Sequence, residues 1–336
     1  MLLKRNIIDI KNISSKYIFK KYKRFSCKQM KKQISKFYKI LLIIFFILII
    51  FCLFRFIYKL HRKSKYETND LTLVTAYYRI KSKHSPEEYF KWINNIVLLN
   101  KPMVFYSNKE FMPTIKKLRP KKLYDKTVFI ELEMEEFYSY KNFYKEFKEA
   151  FPIDHENSYH TIPLYLVWAE KATFVKKAIL NNYFNTKCFY WIDAGIFRDD
   201  NMTKFTNWPS TNKCFEDNRV LFDQIRPYSE KDIEGIINFD KSSHNILRMN
   251  HNIDASMFGG QKEKFLKFID LYYNAIRLFI EHNLFIGKEQ NVFMYIAFAH
   301  PDVVKLNLCP TYFGLKSYLA YKMSLNMILL LIIIIF

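Results

Sequence analysis

Residues 189–198 read FYWIDAGIFR. Aromatic and β-branched residues run straight into Asp193, and Gly195 stands two positions later. A short apolar run closed by an acidic residue and a glycine reads as a buried strand that delivers Asp193 to its carboxyl end. In open α/β sheets, ligands bind in the crevice outside those ends. A carboxylate there can hold a metal ion, a ribose hydroxyl or an acceptor hydroxyl, and Gly195 lets backbone or ligand come close. The same Asp also suits a turn or N-cap that closes an ordinary strand, so both readings stay open at this point.

Working outward, LTLVTAYY at 71–78 has the composition of a second buried strand. Ser85-Pro86-Glu87-Glu88 then opens a helix with a capping-box pattern, and Tyr89, Phe90, Trp92, Ile93, Ile96 and Val97 form its sheet-facing stripe. Residues 103–106 and 128–132 read as further strands, and 133–151 as an amphipathic helix ended by Pro152. A long helix at 164–184 carries Trp168, Glu170 and Lys171 and leads into the central strand. Short apolar runs stand at 220–222 and 236–237, and the stretch 229–250 is otherwise polar and reads as a surface excursion or a loop over the site. HNIDASMFGG at 251–260 reads as a strand ending in a glycine pair, followed by helices at 262–282 and 288–298 and a last strand at 303–306. Strand and helix alternate, which predicts an α/β domain with a parallel sheet.

Hydrophobic content of 50% and aromatic content of 18% exclude a chain that is disordered as a whole. The net charge of +21 is uneven. Residues 1–65 hold 18 Lys and Arg against one acid, Asp9, whereas the remainder holds 35 against 31. Basicity therefore belongs to the N-terminal arm, and a nucleic-acid-binding surface on the domain is not expected.

Residues 40–54 are unbroken apolar, and continuing to Tyr58 gives about 28 Å of helix, enough to span a bilayer. Thirteen Lys and Arg precede Ile40 and five follow the run, which predicts a single-pass type II anchor. The expected layout is a cytosolic polybasic arm at 1–39, a transmembrane helix at 40–58, a linker at 59–69 and a lumenal domain at 70–318. An apolar tail at 319–336, whose last ten residues are too short to span alone, is left open between a second pass, an interfacial segment and a misread terminus. The domain is then expected in the secretory pathway, in the endoplasmic reticulum or Golgi. Beyond the anchor only Cys188, Cys214 and Cys309 remain, so at most one internal disulfide forms, and no cysteine or histidine spacing suits zinc. Asn201 heads an Asn-Met-Thr glycosylation sequon.

VTAYY (74–78), EEYFKWINNIVLLNKPMVFYSN (87–108), LYLVWAEKATFVKKAI (164–179), FYWIDAGIFR (189–198), FGG (258–260) and KEQNVFMY (288–295) together resemble the HtrL/YibB family. That family is grouped with nucleotide-sugar glycosyltransferases of the GT-A type. The resemblance implies an α/β, GT-A-like fold with a mixed, mostly parallel sheet flanked by helices, and transfer of a sugar from a nucleotide-sugar donor to a hydroxyl on a glycan, protein or lipid. The competing expectations are a noncatalytic relative that binds glycan or nucleotide sugar, and a membrane-anchored scaffold.

Under that resemblance, Thr75 and Tyr77 contact the nucleotide, Lys171 and Arg198 neutralise its diphosphate, Gly259 and Gly260 line the donor sugar, and Glu289 is the acceptor base. Each has a plainer reading: strand-end residues for the first pair, surface charges for the second, a turn for the glycines and helix capping for Glu289. Mn2+ or Mg2+ is the implied cofactor, with Asp193 as its ligand. Manganese-binding relatives commonly present Asp-x-Asp here, but this chain reads Asp193-Ala194-Gly195, which weakens the metal or shifts it to Asp199, Asp200 or His300. Arg79 also stands where an acidic residue is expected.

Overall fold

The computed structural model describes residues 32, 35–55, 70–198, 208–209, 214–215, 217–241, 244–248 and 253–308. The chain divides into two units, Met1–Lys65 and Tyr66–Phe336. In the first, helix α1 (Ser35–Arg55) has a mean hydropathy of 3.0 over its most apolar window and is long enough to cross a membrane. It begins five residues earlier than the apolar run. The arm before it, the linker and the tail at 319–336 lie almost wholly outside the described residues, as do Asp199, Asp200 and Asn201.

The second unit is built on seven strands: β1 (Leu71–Tyr77), β2 (Met103–Ser107), β3 (Thr127–Glu131), β4 (Cys188–Ile192), β5 (Val220–Gln224), β6 (Ile253–Gln261) and β7 (Val304–Leu308). They form one sheet in the order β3-β2-β1-β4-β6-β5-β7. Only β6 runs against its neighbours, antiparallel to β4 and β5, while the other adjacent pairs are parallel. This is the mixed, mostly parallel sheet that the resemblance implied; the alternating pattern alone pointed to a parallel one. β1 and β4 are buried along their whole length, as strands covered on both faces must be.

Helices α2 (Pro86–Ile96) and α3 (Met112–Leu118) cover one face through Ile93, Ile96, Met112 and Ile115, packed on Leu73, Phe105 and Ile192. The other face, with Val74, Val104, Trp191, Phe222 and Phe258, carries α4 (Tyr138–Ala150), α5 (Ile162–Asn181), α6 (Glu230–Ile237), α7 (His244–Arg248), α8 (Lys262–Glu281) and α9 (Glu289–Ala299). The expected capping box opens α2: Ser85 Oγ accepts from Glu88 N at 3.2 Å and Glu88 Oε2 accepts from Ser85 N at 2.9 Å.

Three expectations are corrected here. The polar stretch 229–250 is not a plain excursion, because Ser229 and Asp232 form a second capping box that starts α6, and Ile236 and Ile237 lie in that helix. The helix expected over 133–151 is divided, with a 3-10 turn at Met134–Glu136 before α4. Gly259 and Gly260 do not end β6 at a turn but pair within the sheet, opposite Tyr190 and Phe189. A Cβ on Gly259 would stand 2.4 Å from both the Phe189 carbonyl oxygen and the Tyr190 ring, and one on Gly260 would stand 2.9 Å from the Arg219 carbonyl oxygen.

These contacts give the glycines a packing role. Gly259→Ala is expected to destabilise the domain by about 1–3 kcal/mol or more, since backbone at that distance has to shift. Urea unfolding checks this, and an unchanged midpoint would return Gly259 to a ligand role.

One disulfide, Cys188–Cys214, joins the start of β4 to the segment after the site, with Cα atoms 6.3 Å apart. It is the single bridge the cysteine arithmetic allowed.

Candidate active site

The strand order turns between β1 and β4: β2 and β3 follow β1 outward on one side of the sheet, whereas β4 and all later strands lie on the other. Outside the carboxyl ends of these two strands lies a cleft of about 590 Å³. Such a switch point is where open α/β sheets hold their ligands, because the diverging connections leave a crevice there. Tyr77 and Tyr78 from β1, Trp191 and Asp193 from β4, and Asp254 and Ser256 from the start of antiparallel β6 line the cleft. Tyr89 of α2 and Trp168 and Lys171 of α5 form further walls, with Lys83, His84 and Arg198 also bordering it.

Lys171 is the best-fixed group in this cleft. Its side chain is 3% exposed, and its Nζ donates to Asp193 Oδ1 at 2.9 Å, Glu289 Oε1 at 2.8 Å and the Ala255 carbonyl oxygen at 3.1 Å. An ammonium has three protons, and all three are used. Burial acts to lower the Lys171 pKa, but the Asp193 and Glu289 carboxylates outweigh it and raise it above the ordinary lysine value. The ammonium also lies 5.7 Å from the centre of the Trp191 ring. The surface-charge reading of Lys171 is therefore corrected: a cation this buried is kept by the carboxylates that face it.

Glu170, its neighbour on α5, faces away from the cleft. Its carboxylate accepts from Tyr138 N at 3.1 Å and Ser139 N at 2.9 Å and so caps α4. Burial pushes its pKa up to about 7, against the lowering effect of those backbone donors.

Asp193 sits at the expected strand end, with 34% of its side chain exposed. Its N–H donates to the Ser256 carbonyl oxygen at 2.8 Å, tying the end of β4 to β6. Its Oδ1 accepts from Trp191 Nε1 at 2.6 Å as well as from Lys171, which leaves Oδ2 without a hydrogen bond among the described residues.

The remaining expected residues divide. Tyr77 and Arg198 border the cleft, with Arg198 stacked 4.6 Å over the Trp92 ring and its Nε donating to the Gly195 carbonyl oxygen at 3.4 Å. Gly195 permits this arrangement, because a Cβ there would stand 3.0 Å from the Trp92 ring. Thr75 is fully buried within β1 and does not line the cleft. Glu289, 5% exposed, stands in the first turn of α9 behind Lys171 and also does not line it. Gly259 and Gly260 are likewise absent from its walls. His300 caps the far end of α9, and Arg79 lies 5.9 Å from the Phe111 ring; neither borders the cleft.

A model of the family described as "Bacterial protein of unknown function (HtrL_YibB)" matches residues 69–316. The chain belongs to the HtrL/YibB family. Protein HtrL of Escherichia coli (strain K12) is 22% identical over 262 residues, covering 70% of this chain and 87% of that one. Among solved structures, Core-mannan synthase A from Aspergillus fumigatus, in its Mn/GDP form, shares 13% identity at a TM-score of 0.41, covering 71% of this chain and 72% of that one. A glycosyltransferase involved in glycosylation of the major capsid of PBCV-1 shares 13% identity at a TM-score of 0.28, covering 70% and 80%. Neither likeness is close enough to carry a residue assignment.

Within this HtrL/YibB domain, two carboxylates escaped the sequence reading. Asp254 faces the cleft, its Oδ1 accepting from Ser256 N at 2.8 Å. Asp223 of β5 pairs directly opposite Asp254, is 1% exposed, and has neither side-chain oxygen hydrogen-bonded among the described residues. Burial and the adjacent Asp254 charge push its pKa up to about 8. The alternation in HNIDASMFGG placed Asp254 and Ser256 on one face of a strand, which was the available signal.

The implied divalent metal does not fit the donors among the described residues, outside which Asp199 and Asp200 lie. Among the described residues no group of three or more His, Cys, Asp or Glu side chains converges to hold one. Asp193 also has one oxygen already committed to two donors.

Proposed function

We propose that this chain is a membrane-anchored glycosyltransferase that moves a sugar from a nucleotide-sugar donor to a hydroxyl of a glycan, protein or lipid. The observation that carries the reading is the switch-point cleft, which combines aromatic walls, two carboxylates and cationic groups in one crevice. Tyr77, Tyr78, Tyr89 and Trp168 offer faces on which a base or sugar ring packs. Asp193 accepts a hydrogen bond from a donor hydroxyl through Oδ2, while Lys171 and Trp191 fix its other oxygen.

Asp254 replaces Glu289 in this reading as the acceptor base, because it borders the cleft and Glu289 does not. In the transfer step the acceptor oxygen bonds to the anomeric carbon and its proton passes to Asp254. The bond from that carbon to the diphosphate breaks, and the nucleoside diphosphate leaves with the electron pair. Glu289 positions Lys171, and through it Asp193.

The anchor is α1, with the excess of basic residues before it on the cytosolic side. The Cys188–Cys214 bridge supports a domain on the oxidising side of the membrane. Since the family model describes bacterial proteins, the proposal stops at the non-cytosolic face and names no organelle.

Thermal unfolding of the full chain in detergent, against nucleoside diphosphates and nucleotide sugars, tests the reading. A ligand at a hundred times its dissociation constant should add about 2.7 kcal/mol. Asp254→Asn is expected to keep that shift and to lose transfer by roughly 10²–10⁴-fold, the usual contribution of a general base. Binding without turnover in the native chain would favour the noncatalytic sugar-binding alternative.

A further inference from the structure

Resting on that reading, we infer that the donor diphosphate is held without a divalent metal, by Arg198 and Lys83, with the Lys171 ammonium serving as the permanent cation of the site. A divalent ion such as Mn2+ or Mg2+ needs several oxygen donors aimed at one point, at least some of them carboxylates with free lone pairs. Among the described residues the end of β4 offers one carboxylate, since Ala194 and Gly195 follow Asp193. Its Oδ1 takes Lys171 Nζ at 2.9 Å and Trp191 Nε1 at 2.6 Å, which rules out bidentate coordination and leaves Oδ2 alone.

The donor set of a cation is present, but it is already filled. Lys171 Nζ draws one oxygen from the end of β4, one from the start of α9 and one backbone oxygen from β6. Those contacts come from three elements that meet at the switch point, and the charge they surround is covalently fixed. With all three of its protons engaged, Lys171 has none left for a phosphate. Its single charge offsets part of the negative charge of Asp193 and Glu289, which eases the approach of a further anion to the same crevice.

The diphosphate then needs cations with unused donors. Arg198 is held by its Trp92 stack at 4.6 Å and by a single long bond from Nε to the Gly195 carbonyl oxygen, and its terminal nitrogens make no hydrogen bond among the described residues. A guanidinium anchored on an aromatic ring with both terminal nitrogens unused suits bidentate capture of a phosphate. Lys83 is exposed on the border of the same cleft and adds a second positive charge.

Calorimetric titration of the full chain in detergent with UDP and with GDP, each in EDTA and in manganese, tests the inference. At least one nucleotide is expected to bind with an affinity that differs by less than about twofold between the two conditions. Arg198→Gln should weaken it by about tenfold or more in both, with Lys83→Gln weakening it less. Both side chains are exposed, so the variants should retain the native melting temperature without ligand. In parallel, the electron paramagnetic resonance signal of hydrated manganese should keep its amplitude when protein is added. Nucleotide binding that requires manganese, or manganese capture lost in Asp193→Asn, overturns this inference and leaves the nucleotide-sugar reading standing. No binding of either nucleotide under either condition overturns both.

Discussion

Replacing Lys171 by Met is expected to cost the fold about 3–5 kcal/mol and to abolish nucleotide binding, the largest single effect in the domain. The side chain is of similar length, so the loss is that of the charge. Without it Glu289, 5% exposed, and the committed oxygen of Asp193 face each other with no cation between them. Breaking a buried pair by removing one partner is costly because the remaining charge stays desolvated. Two companion variants separate this from a general packing defect. Glu289→Gln alone should cost less, because Lys171 keeps Asp193 and Ala255 as acceptors. Adding Glu289→Gln to Lys171→Met should recover part of the loss, giving a coupling energy that independent sites would not show. Urea unfolding measures all three. If Glu289 were instead the acceptor base, Glu289→Gln would abolish transfer while leaving stability and donor affinity untouched.

The second large effect concerns Asp223, and it is stabilising. Its folded-state pKa stands at about 8, raised by burial and by the adjacent Asp254 charge, whereas an unfolded Asp titrates near ~3.9. The folded chain therefore keeps a proton that the unfolded chain gives up. The contribution of Asp223 to stability is fully present below about pH 4, is lost as pH rises through the window between about 4 and 8, and changes no further above it. The slope is on the order of 1.36 kcal/mol per pH unit. Asp223→Asn is close in shape and has no proton to hold. It is expected to flatten that slope and to raise stability at neutral pH by a few kcal/mol. Chemical unfolding from pH 4 to pH 9 on both proteins checks it, and parallel slopes would contradict it. The same proton bears on function: below about pH 8 Asp223 carries it and so places no second negative charge beside Asp254, its partner across the strands.

Legibility in the sequence followed the range of the interactions involved. Strands β1 and β4 were readable because LTLVT holds only aliphatic and β-branched residues and FYWI is an unbroken apolar run, as strands covered on both faces require. Asp193 was readable because it ends such a run. The role of Lys171 was not: its Glu289 partner lies 118 residues away, and a lysine in a helix looks the same whether it faces water or a carboxylate.

Glu289 misled for a related reason. A first-turn acid signals both a cap and a base, and only the fold reveals that it stands behind another side chain. The Asp223–Asp254 pair depends on β5 lying antiparallel to β6, and the apolar run at 220–222 gave no hint of that register. Helix α6 carried its Ser229–Asp232 capping box in plain view, but so short a helix offers few apolar positions from which to detect a period. The glycine pair was conspicuous and pointed to a ligand, yet the Tyr190 ring and the β5 backbone account for it.

The central claim is that a nucleotide-sugar donor occupies the cleft between the ends of β1 and β4. Photolabelling tests it most directly, using the full chain in detergent, a nucleoside diphosphate bearing a photoreactive group, and mass spectrometry to map the labelled peptides. The expected result is label within residues 76–92 and 191–198, suppressed by an unlabelled nucleotide sugar and absent from the Lys171→Met variant under conditions where that variant is folded. Label elsewhere on the domain, or label in those segments that no nucleotide sugar displaces, would contradict the account.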